Sequence, residues 1–136
     1  SSKYLKIYFI RIHIQSQLRL SFLALIMEPE VNLIQAAQIQ ESVALFQKAE
    51  QLFKDREYRP ASEFYLKALE KNNRYIEAYK ALGTCWRKYF NYDEAQKYSE
   101  RILDQNLKDP EILCGVGYLL SNCKFDEKGF ACFKRA

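Results

Sequence analysis

No acidic residue occurs in the first 27 positions of this chain, whereas Lys3, Lys6, Arg11 and Arg19 all lie there. With 21 basic and 17 acidic residues in all, that segment accounts for the whole formal charge of +4 and leaves residues 28–136 balanced. A balanced region lacks the basic stripe that displaces counterions from nucleic acid, which argues against a nucleic-acid partner. Histidine is as scarce: His13 is the only one, and Cys85, Cys114, Cys123 and Cys132 include no Cys-x-x-Cys pair. That spacing does not suit zinc, so the thiols read as small, mostly buried apolar residues of a reducing compartment. Nothing resembles a catalytic triad, a phosphate loop or a pair of working carboxylates. Gly115 and Gly117 lie in an amphipathic helix pattern with no strand before them, which suits helix packing rather than phosphate binding. The expectation is a non-enzyme with no catalytic, cofactor-binding or metal-binding residues. Long apolar runs are missing too. The uncharged run over residues 20–27 is too short to span a membrane.

What the chain does have is a recurrence. Residues 76–109 contain Tyr79, Leu82, Gly83 and Trp86, then Ala95, Tyr98 and Ile102. The block before it, 42–75, carries Leu45, Lys48, Ala49 and Leu52, then Ala61, Phe64 and Ala68 at the same places. The block after it, 110–136, carries Leu113, Val116, Gly117 and Leu120, then Gly129, Cys132 and Ala136. Antiparallel helices approach closely only where the contact residues are small. Each repeat offers one small residue on its first helix (Ala49, Gly83, Gly117) and one on its second (Ala61, Ala95, Gly129). Larger residues at spacings of three and four fill the space around them. Within the middle repeat this predicts that Gly83 faces Ala95, with Gly83→Ala close to neutral. One pair cannot bury its apolar face alone, so neighbours stack.

Period and residues together resemble the tetratricopeptide repeat (TPR), a helix–turn–helix unit whose period of about 34 positions is the spacing seen here. Tyr79-x-x-Leu82-Gly83-x-x-Trp86 fits its first half. Ala61-x-x-x-Tyr65-x-x-Ala68 and Gly129-x-x-x-Phe133-x-x-Ala136 fit its second. The departures are Lys48 in place of an apolar residue, Ser99 in place of an aromatic, and Asn73 and Leu107 in place of the closing proline. The resemblance implies an all-α, right-handed superhelical solenoid of antiparallel helix pairs with about three repeats. Residues 28–41 would be a helical lead-in, followed by repeats at 42–75, 76–109 and, truncated, 110–136. The stretch 52–69 further resembles the seventh-subunit family of the anaphase-promoting complex, a TPR scaffold; Asp55 to Arg59 is its part beyond consensus.

Residues 1–27 fit less easily. Ile10, Ile12, Ile14, Leu18, Leu20 and Phe22 alternate with polar residues, which is strand periodicity, yet a lone strand has no partner in a helical chain. The alternatives are an organelle transit peptide, a helix docked on the first repeat, a strand added to a partner, and an extension upstream of a natural start at Met27. Localisation follows: cytoplasmic or nuclear, or mitochondrial if the segment is native. Pro29 suits the first turn of a helix, with Glu28 and Glu30 at its positive end. Helices are predicted at 30–55, 58–71, 76–89, 92–105, 110–122 and 125–136, with Ser42 placed to cap a fresh start and a kink near Gln40. At the far end the apolar edge around Phe130 and Phe133 calls either for further chain or for self-association.

The resemblance also implies a concave groove on the first helices. It would be lined by Val43, Phe46, Gln47, Glu50, Phe53 and Lys54, then by Glu77, Lys80, Ala81, Thr84, Arg87 and Lys88. Glu111, Cys114, Gly115, Tyr118, Ser121 and Asn122 would follow. Aromatics beside cations would suit a protein or peptide partner bearing acidic groups. The carboxylate clamp of family members that hold an Hsp70 or Hsp90 tail is not reproduced, since its places hold Phe46, Glu50, Ala81, Glu111 and Gly115, and two carboxylates would repel the tail. The expected role is an interaction scaffold in a multiprotein complex. The alternatives are a non-catalytic region of a larger enzyme and an organelle-imported adaptor.

Overall fold

The computed structural model describes residues 2–105 and 108–136, with the side chains of residues 21–29 outside the description. Leu107, and with it part of the turn expected over residues 104–109, therefore lies outside the described residues. The fold is all-α. Six helices are seen among the described residues: α1 (Ser2–Lys54), α2 (Tyr58–Lys71), α3 (Ile76–Lys88), α4 (Tyr92–Gln105), α5 (Pro110–Asn122) and α6 (Asp126–Arg135). From α2 onward they fall where the apolar spacing put them. The chain divides into two compact units, Ser1–Ala37 and Gln38–Ala136.

In the first unit the alternating segment is helical, not extended. A helix satisfies its backbone N–H and C=O groups from within, whereas a strand without a neighbour leaves them to water. The cost is that alternation spreads apolar side chains all round the helix. Tyr4, Leu5, Ile7, Tyr8, Phe9, Ile10, Ile12, Ile14, Leu18 and Leu20 are all exposed. The helix start expected at Pro29 is absent, because α1 runs through it. Nor does Ser42 open a new helix; it is buried within α1 and its Oγ donates to the Ile39 carbonyl at 2.6 Å.

In the second unit α3 packs on α2 and α5, and α5 packs on α3, α4 and α6. Trp86, Tyr65, Tyr79, Leu82, Ile112, Val116 and Leu119 form the fully buried centre of this core. Close approach relies on small residues, with one correction. A Cβ on Gly83 would lie 2.6 Å from the Leu119 carbonyl oxygen and 2.9 Å from the Leu119 Cα. Gly83 is therefore a contact of α3 with α5, a neighbour that the predicted pairing with Ala95 did not include. The consensus position showed that a small residue is needed there but not which neighbour needs it. At Gly117 a Cβ would come within 3.1 Å of the Gly129 carbonyl, so that predicted pair does meet.

Helices α1, α3 and α5 end alike. Arg56, Phe90 and Lys124 are left-handed, with φ of 61°, 60° and 67°, and each stands one period of the sequence recurrence from the next. The N–H groups of Glu57, Asn91 and Phe125 reach back to the carbonyls of Leu52, Trp86 and Leu120 at 2.9, 2.8 and 2.8 Å. These are Schellman closures, which satisfy carbonyls that a helix end would leave unpaired. Asp109 caps α5 by accepting from the Glu111 N–H at 3.1 Å, and Pro110 follows at the first turn.

Cys85, Cys123 and Cys132 are buried as part of the core, whereas Cys114 is half-buried. Cys85 donates to the Tyr58 carbonyl and Cys123 to the Gly83 carbonyl, each at 3.0 Å. Burial pushes them up to about 12 and about 11, which keeps them protonated and unreactive near neutrality.

Candidate functional site

Helical spacing sets the geometry of the predicted groove. Phe46, Glu50 and Phe53 recur at spacings of four and three along α1 and so share one face. Glu77, Lys80, Ala81 and Thr84 do the same along α3. Together with Tyr65 of α2 they line one open cleft of about 350 Å³ within the second unit. Lys54, Arg87, Lys88 and Tyr118 are not among the lining residues. Lys54, Arg87 and Lys88 are exposed, and Tyr118 is half-buried. Gly115 does not face a groove, since it is buried beneath the Tyr79 ring, where a Cβ would collide.

Aromatic contacts hold the α1 wall. The Phe46 ring lies 5.7 Å from that of Tyr65 and 4.9 Å from that of Tyr75, and Phe53 stands edge-on to Tyr58 at 5.3 Å. Tyr65 OH donates to the Glu50 carboxylate. Burial first, and then that bond and charge, raise the Tyr65 phenol above its usual range, so it stays a donor. Glu50 is thereby held in place by a phenol hydroxyl. Tyr65 is the lining residue that the resemblance, which points to the first helices, misses, because it comes from a second helix. A buried tyrosine hydroxyl needs a partner, and Glu50 supplies it.

The opposite wall is tied down through Lys80. Its ammonium lies 4.1 Å from the centroid of the Tyr118 ring, which in turn stacks edge-on to Phe133 at 5.0 Å. The Lys80 carbonyl accepts from Asn122 Nδ2 at 3.0 Å and from Thr84 Oγ1 at 3.2 Å. Lys80 thus contributes to the cleft and links α3 to α5 together. A cation over an aromatic face is worth about 0.5–1 kcal/mol when exposed, enough to favour one rotamer without freezing it.

Taken as a lining, the cleft has an apolar part (Phe46, Phe53, Ala81), two carboxylates (Glu50, Glu77), one ammonium and one hydroxyl beside the Tyr65 phenol. It holds the ingredients for seating a side chain and orienting a short polar flank. Among the described residues no group of three metal-ligating side chains gathers anywhere, and no helix is long and apolar enough to cross a membrane. The chain matches no protein-family model and no curated protein.

Proposed function

We propose that residues 38–136 form a TPR-type array of three helix pairs, and that the chain is a non-catalytic scaffold. Its cleft between α1 and α3 takes a peptide or a partner helix within a larger complex. The repeat reading is supported by the sequence recurrence, which extends to the backbone at Arg56, Phe90 and Lys124. The observation that carries the binding reading is the cleft itself, built from helices one repeat apart and floored by two phenylalanines. Its formal charge modifies the expected ligand. The cations expected to attract an acidic peptide, Arg87 and Lys88, are not part of the lining, and Lys80 already engages Tyr118. An apolar anchor flanked by a basic residue suits two carboxylates better than an acidic peptide does.

The test is a peptide-array screen with the full chain, followed by titration of the peptides captured. Basic-flanked apolar peptides should be preferred. Phe53→Ala should weaken them about tenfold or more, the scale of an aromatic anchor. Arg87→Ala should change affinity less than about twofold. If a helical Phe53→Ala/Lys80→Ala double variant binds as the parent does, the cleft assignment must be withdrawn.

A further inference from the structure

Residues 2–20 of α1 carry large apolar side chains on every side of the helix, all of them exposed. Tyr4 is 78% exposed, Ile7 62%, Phe9 66% and Leu18 64%. A spacing of two turns successive members about 200° around the helix, so they do not gather on one face. A groove on a protein covers one side of a helix. A helix that is apolar all round is covered only by a surrounding medium, either a protein interior or the acyl region of a bilayer. The charges decide between these. Lys3, Lys6, Arg11 and Arg19 lie in the same stretch and are exposed, and the first 27 positions offer no acid to pair with them. Inside a protein, unpaired cations are costly. At a bilayer surface they stay in the head-group layer while their stems run along apolar surface. A basic, acid-free segment is also what anionic head groups attract, and residues 28–136 are balanced, so that attraction is confined to the first unit. Among the described residues no helix is long and apolar enough to cross a membrane. Arg11, His13, Gln15, Gln17 and Arg19 interrupt the apolar residues too often for that.

We propose that residues 2–20 of α1 seat the chain on an anionic lipid surface. The helix lies in the boundary between head groups and acyl chains, with Lys3, Lys6, Arg11 and Arg19 against lipid phosphates. Tyr4 and Tyr8 suit that boundary, because each joins an apolar ring to a polar hydroxyl. The attachment does not use the peptide cleft and does not depend on it.

The test is flotation of the full chain with phosphatidylcholine vesicles, with and without added phosphatidylserine. Binding to the anionic vesicles should exceed binding to the neutral ones at least about tenfold and should weaken as salt rises. Replacing Lys3, Lys6, Arg11 and Arg19 by Gln should remove that preference. Phe9→Gln/Ile12→Gln/Leu18→Gln keeps every charge and should still weaken binding at least about tenfold, because the side chains that enter the acyl region are gone. Both variants leave the second unit unaltered, so a cooperative unfolding transition like the parent's shows that each is folded. Arg87→Gln/Lys88→Gln removes two exposed cations of the second unit and should change binding less than about twofold. Equal affinity for neutral and anionic vesicles overturns the proposal. So does unchanged binding by the triple Gln variant, which would mean attraction without insertion. Absence of vesicle binding overturns it as well; self-association lost in the triple variant would then show that a second copy covers these side chains.

Discussion

Residues 2–37 and residues 38–136 use much the same apolar alphabet and reach opposite outcomes. In the first unit every described side chain is exposed, including Phe9 at 66%. In the second, Trp86 is 1% exposed and Tyr79 and Leu82 are fully buried. The difference lies in spacing rather than in content. Apolar residues every second position, wound into a helix, point in all directions and give no common face. Apolar residues three and four apart give each helix one face, and the small residues among them let the faces meet. Helical structure alone therefore does not make a core.

The largest expected effect sets the two regions directly against each other. Trp86→Ala removes a ring packed edge-on to Tyr98 at 5.8 Å in the centre of the second unit. It should cost about 3–5 kcal/mol in denaturant unfolding. Phe9→Ala, also the loss of an aromatic ring, should change the same transition by less than about 0.5 kcal/mol. A loss above about 2 kcal/mol for Phe9→Ala, the scale of removing a packed side chain, would mean that the first unit hides a docked face.

A smaller effect comes from adding atoms rather than removing them. Gly83→Ala places a methyl against the backbone of Leu119. Even after the gain of about 1 kcal/mol in helix propensity, it should destabilise by roughly 1–3 kcal/mol, because backbone cannot yield as a side-chain tip does. Adding bulk on the first unit, for example Ser16→Leu, should leave the unfolding transition in place, since Ser16 is exposed. If Gly83→Ala melts with the parent, α3 and α5 are farther apart than the structure has them.

These contrasts also mark what could be read from the sequence. The helices from Tyr58 onward were readable because spacing, small residues and polar turns all agreed on them. The lining of the cleft was half readable. The resemblance pointed to Phe46, Glu50, Phe53, Lys80 and Thr84, yet it also swept in Arg87 and Lys88, one turn beyond the lining. Tyr65 reaches the cleft from the second helix of its own repeat, and Gly83 meets Leu119 of the next repeat; the spacing along one helix encodes neither contact. At residues 10–22 the sequence signal and the helix conflict outright. Period-2 spacing indicates which side chains would share a sheet face, but supplies no second strand to complete the sheet.

The smallest effect should reverse sign between the two units. Lys124 holds a left-handed backbone, a conformation that costs a residue with a Cβ about 1–2 kcal/mol and costs glycine almost nothing. Its side chain is exposed, so Lys124→Gly sacrifices little packing. Glycine does lose more chain entropy on folding, which offsets part of the gain. The net should be a stabilisation of roughly 0.5–1 kcal/mol, seen as a raised denaturation midpoint with an unchanged slope. Gln15→Gly makes the same replacement inside the helix of the first unit, where the backbone is right-handed. There glycine should reduce helicity, by about 1 kcal/mol of local propensity, and far-UV circular dichroism would report it while the unfolding transition stays put. Phe90→Gly is the harder case, because its ring stands 6.3 Å from Tyr92 and some of that contact would be lost. A Lys124→Gly variant that unfolds earlier than the parent would mean that the turn is not left-handed at that residue. The periodic recurrence of Arg56, Phe90 and Lys124 would then lose its backbone support.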